Sequence, residues 1–139
     1  ASLWPIVEKL IQNDINITAL RDATRGGVSA VLNEWAKQSD VCIEIEEKEV
    51  PICDEVNGIC ELLGFEALSL ANEGTFVLAI KQEDAQKALE VLHGCENSKE
   101  AKIIGKVTQQ YEKRVILNSA WGTKRFLETP TGELLPRIC

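Results

Sequence analysis

The chain has 139 residues, 45% hydrophobic and 27% charged, with a formal net charge of −7. That size and balance fit one soluble globular domain with a single core. The acidity argues against a nucleic-acid surface, which needs clustered lysine and arginine, and no apolar run is long enough to span a membrane.

From the start, residues 2–12 predict a helix with Trp4, Val7, Leu10 and Ile11 on one face and Ser2 as its candidate cap. Residues 17–20 read as a strand. The segment "GGVSAVLNEWAKQ" predicts a helix, because Val28, Val31, Leu32 and Trp35 fall at i, i+3, i+4 and i+7. "VCIEIEE" alternates Val41, Ile43 and Ile45 with Cys42, Glu44 and Glu46, the pattern of a strand with one buried face.

Residues 53–63 predict a further helix, with Val56, Ile59, Cys60 and Leu63 inward and Gly64 ending it. "TFVLAI" is a nearly continuous apolar run, as in a strand covered on both faces. "QEDAQKALEVLHG" predicts a helix with Ala85, Ala88, Leu89 and Leu92 inward. "KIIGKV" and "RVILN" read as a hairpin joined by "TQQYEK". Residues 128–139, with two prolines and one glycine, read as an extended tail after a domain of residues 1–127. The alternation of elements predicts an α+β architecture, a mixed sheet flanked by helices.

Five cysteines are present, an odd number, and none forms a C-x-x-C pair. With no secretory signal at the start, reduced thiols are expected. Cys42, Cys53, Cys60 and Cys95 read as core or near-core hydrophobes. His93 is the only histidine, and the cysteine spacings match no common zinc pattern.

Three places can hold chemistry. In "LRDATRGGVSAVLNEWA", Asp22 and Thr24 precede a helix opened by Gly26 and Gly27. A helix start leaves backbone N–H groups unpaired and carries partial positive charge. Paired glycines admit an anion close to that backbone, and Arg25 adds a fixed charge, so the segment suits phosphate. The plainer alternative is a capped helix with glycines turning the chain. In "LSLANEGTFVLAI", Glu73 stands beside a buried strand, where desolvation raises a carboxylate towards the range of a general base. The alternative is a turn shaped by Asn72 and Gly74. The third place is the terminal thiol of Cys139. Pro136 stiffens its approach, and Arg137 favours the thiolate while the α-carboxylate opposes it. From Glu128 the tail reaches at most ~40 Å. The alternative is a frayed end without a role.

Together, "RDATRGG", "LANEG" and the terminal "PRIC" resemble the HypE family of hydrogenase maturation factors, the carbamoyl dehydratases. The likeness runs from about Leu20 to Cys139. "RDATRGG" alone marks the wider superfamily of aminoimidazole ribonucleotide synthetase-like ATP enzymes, and "PRIC" narrows it. The resemblance implies that this chain is the C-terminal α+β domain of a protein about twice as long, whose N-terminal domain binds most of the ATP and Mg²⁺ and forms a homodimer. The absence of Met suits a piece of such a protein.

The resemblance further implies a cytoplasmic cycle. The carbamoyltransferase HypF loads a carbamoyl group onto Cys139, ATP drives its dehydration to a thiocyanate, and the cyanide passes to iron held by the HypC–HypD complex. Glu73 is then expected to act as base or to orient the amide. Asp22, Thr24, Arg25, Gly26 and Gly27 are expected to line the phosphate end of the cleft between the two domains. Two other readings stand beside this one: another ATP enzyme of the superfamily, whose activity would not need Cys139, and a docking module without chemistry of its own.

Overall fold

The computed structural model describes residues 3–71 and 74–129. Four helices and six strands are assigned among them: α1 (Trp4–Gln12), β1 (Ile17–Asp22), α2 (Gly27–Ser39), β2 (Cys42–Glu46), α3 (Asp54–Leu63), β3 (Phe76–Ile80), α4 (Ala85–His93), β4 (Gly105–Thr108), β5 (Arg114–Asn118) and β6 (Lys124–Phe126). Short 3-10 turns link several of them, including Ala67–Ser69 before β3. The α+β class follows the expectation, with two sheets: an antiparallel pair, β1–β3, and a mixed sheet in the order β4-β2-β5-β6.

Two apolar clusters replace the single expected core. In the larger, Val31, Leu32 and Ala36 of α2 pack on Ile43 and Ile45 of β2 and on Val115 and Leu117 of β5, with Leu68, Val77 and Leu127 completing it. In the smaller, Ile6 and Leu10 of α1 meet Ala88 and Leu92 of α4, and Phe76, Leu78 and Ile80 of β3 pack against them. Successive side chains of a strand point to opposite faces, so β3 serves both clusters. That explains why "TFVLAI" is apolar throughout.

Four expectations are corrected. "KIIGKV" and "RVILN" do not form a hairpin: β2 lies between them, antiparallel to β4 and parallel to β5, and the hairpin partner of β5 is β6. The alternating apolar face of β2 has more to gain at the centre of a sheet than at its edge. On α1 the buried residues are Ile6 and Leu10, one turn apart, while Trp4 and Ile11 are 65% and 56% exposed. On α3 only Cys60 is buried, and Val56, Ile59, Leu62 and Leu63 face outward. Cys42, Cys60 and Cys95 are buried as expected, but Cys53 is exposed, standing just before α3 where the chain is still extended. No helix among the described residues is long and apolar enough to cross a membrane.

Candidate functional site

The antiparallel pairing of β1 and β3 joins two of the three sequence motifs. Their register sets Asp22 opposite Phe76 and Arg21 opposite Val77. One residue further, the N–H of Ala23 donates to the carbonyl of Thr75 at 2.9 Å. Thus the beginning of "RDATRGG", shortly before α2, lies beside the residues that follow "NEG". Arg21 pairs with Glu34 of α2, a second tie between β1 and that helix.

Asp22 closes β1, and Thr24 and Arg25 are exposed in the link to α2. Gly26 is the N-cap of α2 in the left-handed conformation, φ 74° and ψ 9°, and no side chain caps the helix. The capped-helix alternative is therefore absent: neither Asp22 nor Thr24 takes that role. The helix's hydrogen bonding begins with the Ala30 N–H donating to the Gly26 carbonyl at 3.2 Å. Amides of the first turn are left for another acceptor, at the positive end of the helix dipole. Among the described residues no carboxylate pairs with Arg25. An uncapped helix start beside an uncommitted guanidinium fits an anion such as phosphate.

Gly27 has a structural demand of its own. Its φ is +64°, and a Cβ there would stand 2.5 Å from the carbonyl oxygens of both Leu68 and Leu70. The first residue of α2 is thereby pressed against the chain entering "LANEG". At the other end of that motif Gly74 has φ +127° with open space around its Cα. Both ends of the loop are thus set next to the start of α2, one by close packing on Gly27 and one by the bond between Ala23 and Thr75. Glu73 itself, like Asn72, lies outside the described residues, as do Cys139, Pro136 and Arg137.

A cleft of about 320 Å³ opens at this place, and Ala23, Val28, Leu70, Gly74 and Thr75 are in its lining. Its lining is mostly apolar, with Lys102 and Glu100 among the polar contributors. Among the described residues no group of three or more His, Cys, Asp or Glu can hold a metal ion.

Two buried polar residues of α2 escaped the sequence reading. Ser29 is fully buried, and its Oγ donates to the Glu128 carbonyl at 2.8 Å. Asn33 is 5% exposed, and its Nδ2 donates to the carbonyls of Leu127 and Ser29, each at 2.9 Å. The available signal was an asparagine beside Leu32 on the apolar side of a helix, where burial needs a partner.

The sequence profile of the AIR synthase related protein family, C-terminal domain, matches residues 2–118. Carbamoyl dehydratase HypE of Escherichia coli K12 is 44% identical over 140 residues, covering 100% of this chain and 40% of the relative. A crystal structure of the hydrogenase maturation protein HypE in complex with ATP matches with a TM-score of 0.90 and 38% identity, over 100% of this chain and 43% of that one. The HypE–HypF complex matches with a TM-score of 0.86 and 41% identity, over 94% of this chain and 42% of that one. The chain spans about two fifths of the length of the curated relatives it matches.

Proposed function

The chain belongs to the AIR synthase related protein family as its C-terminal domain, and from that premise we propose that it is the substrate-carrying part of a carbamoyl dehydratase. Cys139 holds a carbamoyl group as a thiocarbamate, and the start of α2 frames the phosphate end of the reaction site. The observation that carries this reading is the joining of "RDATRGG" to the "NEG" loop at an uncapped helix start. Similarity to a carbamoyl dehydratase over the full chain supports this reading of its chemistry.

The reaction converts S–C(=O)–NH₂ into S–C≡N. The C–O bond breaks, and the nitrogen loses two protons as the triple bond forms. Oxygen is a poor leaving group as hydroxide, and ATP, when bound, supplies the phosphoryl group that lets it depart as phosphate. The amides of the first turn of α2 and the Arg25 guanidinium bind negative charge on the phosphates, strongest where water is excluded. Asp22 and Thr24 flank Ala23, which lines the cleft. Gly26 and Gly27 keep the backbone there free of side chains. Glu73, one residue before Gly74, accepts a proton from the amide nitrogen or orients the amide for its loss. The terminal segment brings Cys139 into the cleft for the reaction and leaves it for loading and delivery.

Magnesium is the usual companion of ATP. The described residues build no metal site, so no step here is assigned to a metal. In the proposed cycle the carbamoyl donor is HypF, a reading supported by the match to the HypE–HypF complex. The HypC–HypD complex as acceptor, a homodimer of the relative-length protein and a cytoplasmic setting rest on the family resemblance.

A protein of the relatives' length carrying this sequence tests the reading. With HypF, carbamoyl phosphate and ATP, phosphate release beyond that of HypF alone is expected, and Cys139→Ala abolishes it. Undiminished release from that variant would favour a superfamily enzyme that does not use the thiol.

A further inference from the structure

The described chain ends just past a clamp. Leu127 is 2% exposed, lies in the larger core, and its N–H donates to the Val115 carbonyl at 2.8 Å. Its own carbonyl accepts from Asn33, and the next carbonyl, of Glu128, accepts from Ser29. The Glu128 carboxylate meets Arg114 at 3.2 Å. Two successive carbonyls at the exit of the last strand are thus held by two buried side chains of one helix.

That use of α2 calls for a reason. Asparagine is unfavourable in a helix interior, and burying its amide is costly without partners. The Leu127 carbonyl is buried and needs a donor, which any neighbouring element could supply, and the Glu128 carbonyl could take one from water. Here they are satisfied instead by the helix whose first turn forms the anion end of the site, and Ser29 is only two residues beyond Gly27. The root of the terminal segment therefore has a fixed place relative to the phosphate end.

We propose that Ser29 and Asn33 are positioning residues, which fix the pivot from which the terminal segment delivers Cys139 to the site. The proposal rests on the function proposed above. Residues beyond the pivot span at most ~40 Å when extended. A tethered group reacts at an effective concentration set by the length and origin of its tether. Holding the origin on α2 fixes the distance from that root to the first turn. Releasing it lets that distance vary without altering the groups that bind phosphate.

The test compares tethered and untethered substrate in the relative-length protein. Single-turnover dehydration of the carbamoyl group on Cys139 is measured for the wild type, Ser29→Ala, Asn33→Ala and Ser29→Thr, the last of which keeps a hydroxyl. The same changes are then placed on a Cys139→Ala background, with a synthetic peptide of residues 130–139 carrying the S-carbamoyl group supplied in trans. The expected result is a tethered rate lower by about tenfold in both alanine variants, near wild type in Ser29→Thr, with the in-trans rate unchanged in all. Equal losses in both arms would make the two residues merely structural and overturn the proposal, as would unchanged tethered rates. A wild type that dehydrates in neither arm would overturn the function and the clamp together, whereas wild-type turnover with unaffected variants overturns the clamp alone.

Discussion

The N–H of Ala23 bonds the carbonyl of Thr75 at 2.9 Å, and that contact joins two motifs far apart in the chain. It continues the β1–β3 ladder by one step beyond Asp22 and Phe76. The ladder ends shortly before α2 on one strand and just after Gly74 on the other. The helix start proposed to bind phosphate and the chain that leaves the "NEG" motif are brought side by side by backbone pairing, so surface substitutions elsewhere should leave their relation intact.

The close packing of Gly27 predicts an asymmetry between two glycines. Gly27→Ala must relieve a Cβ 2.5 Å from two carbonyl oxygens at a positive φ, and is expected to destabilise by about 3 kcal/mol or more. Gly74→Ala has the φ penalty but open space, and is expected to destabilise by about 1–2 kcal/mol. Urea unfolding of the two variants measures the difference. Equal losses would mean that the Leu68–Leu70 segment yields easily and does not hold the loop.

Arg25 gives the electrostatic test of the phosphate end. In the relative-length protein, Arg25→Gln is expected to raise the Kd for ATP by about tenfold or more, the scale of a lost charge-assisted hydrogen bond. Its melting temperature should hold, because the side chain is exposed and unpaired among the described residues. Titration calorimetry with ATP decides it, and unchanged affinity would remove Arg25 from the site.

The pH response of stability is set in part by Glu44. Asn118 Nδ2 donates to Glu44 Oε1 at 2.9 Å, and that bond, helped by Lys124, holds the carboxyl below its ordinary value against an opposing effect of burial. A folded pKa below the unfolded one, near ~4.3, stabilises the protein above that pH and ceases to do so as pH falls through the folded value. Asn118→Ala should therefore be less stable than the wild type at neutral pH, with the gap narrowing as pH drops below ~4. Denaturation at neutral and acidic pH checks this, and a pH-independent gap would contradict it.

Because the chain spans about two fifths of its relatives, these 139 residues alone are expected to release no phosphate from ATP above background. A coupled phosphate assay on the isolated chain is sufficient. Sustained turnover would show that ATP is held and activated by this domain alone.

Much of this was readable from local pattern. The period of Val28, Val31, Leu32 and Trp35 gave α2, the alternation in β2 gave its buried face, and the unbroken apolar run of β3 anticipated a core on each side. What local pattern does not contain is partnership. "KIIGKV" and "RVILN" are near in sequence, and their separation by β2 depends on a strand that comes long before either. The apolar stripes of α1 and α3 were real as stripes, but periodicity does not say which stripe finds a partner. Trp4, Ile59 and Leu63 stayed exposed while Ile6, Leu10 and Cys60 were covered. At the site, the glycine pair was read as space for an anion, and the close approach of the Leu68 and Leu70 carbonyls to Gly27 is a tertiary fact that spacing alone does not reveal. The burial of Ser29 and Asn33 is not legible in the sequence, because small polar residues in a helix are usually solvent-facing.

The central claim is that Cys139 carries the group that is dehydrated, and intact-mass spectrometry of the relative-length protein tests it most directly. After incubation with HypF, carbamoyl phosphate and ATP, peptide mapping should place one adduct on Cys139. In the wild type that adduct should be the thiocyanate, lighter by one water than the carbamoyl adduct that remains in Glu73→Gln. An adduct on another residue, or an adduct on Cys139 that ATP leaves unchanged in the wild type, would contradict the account.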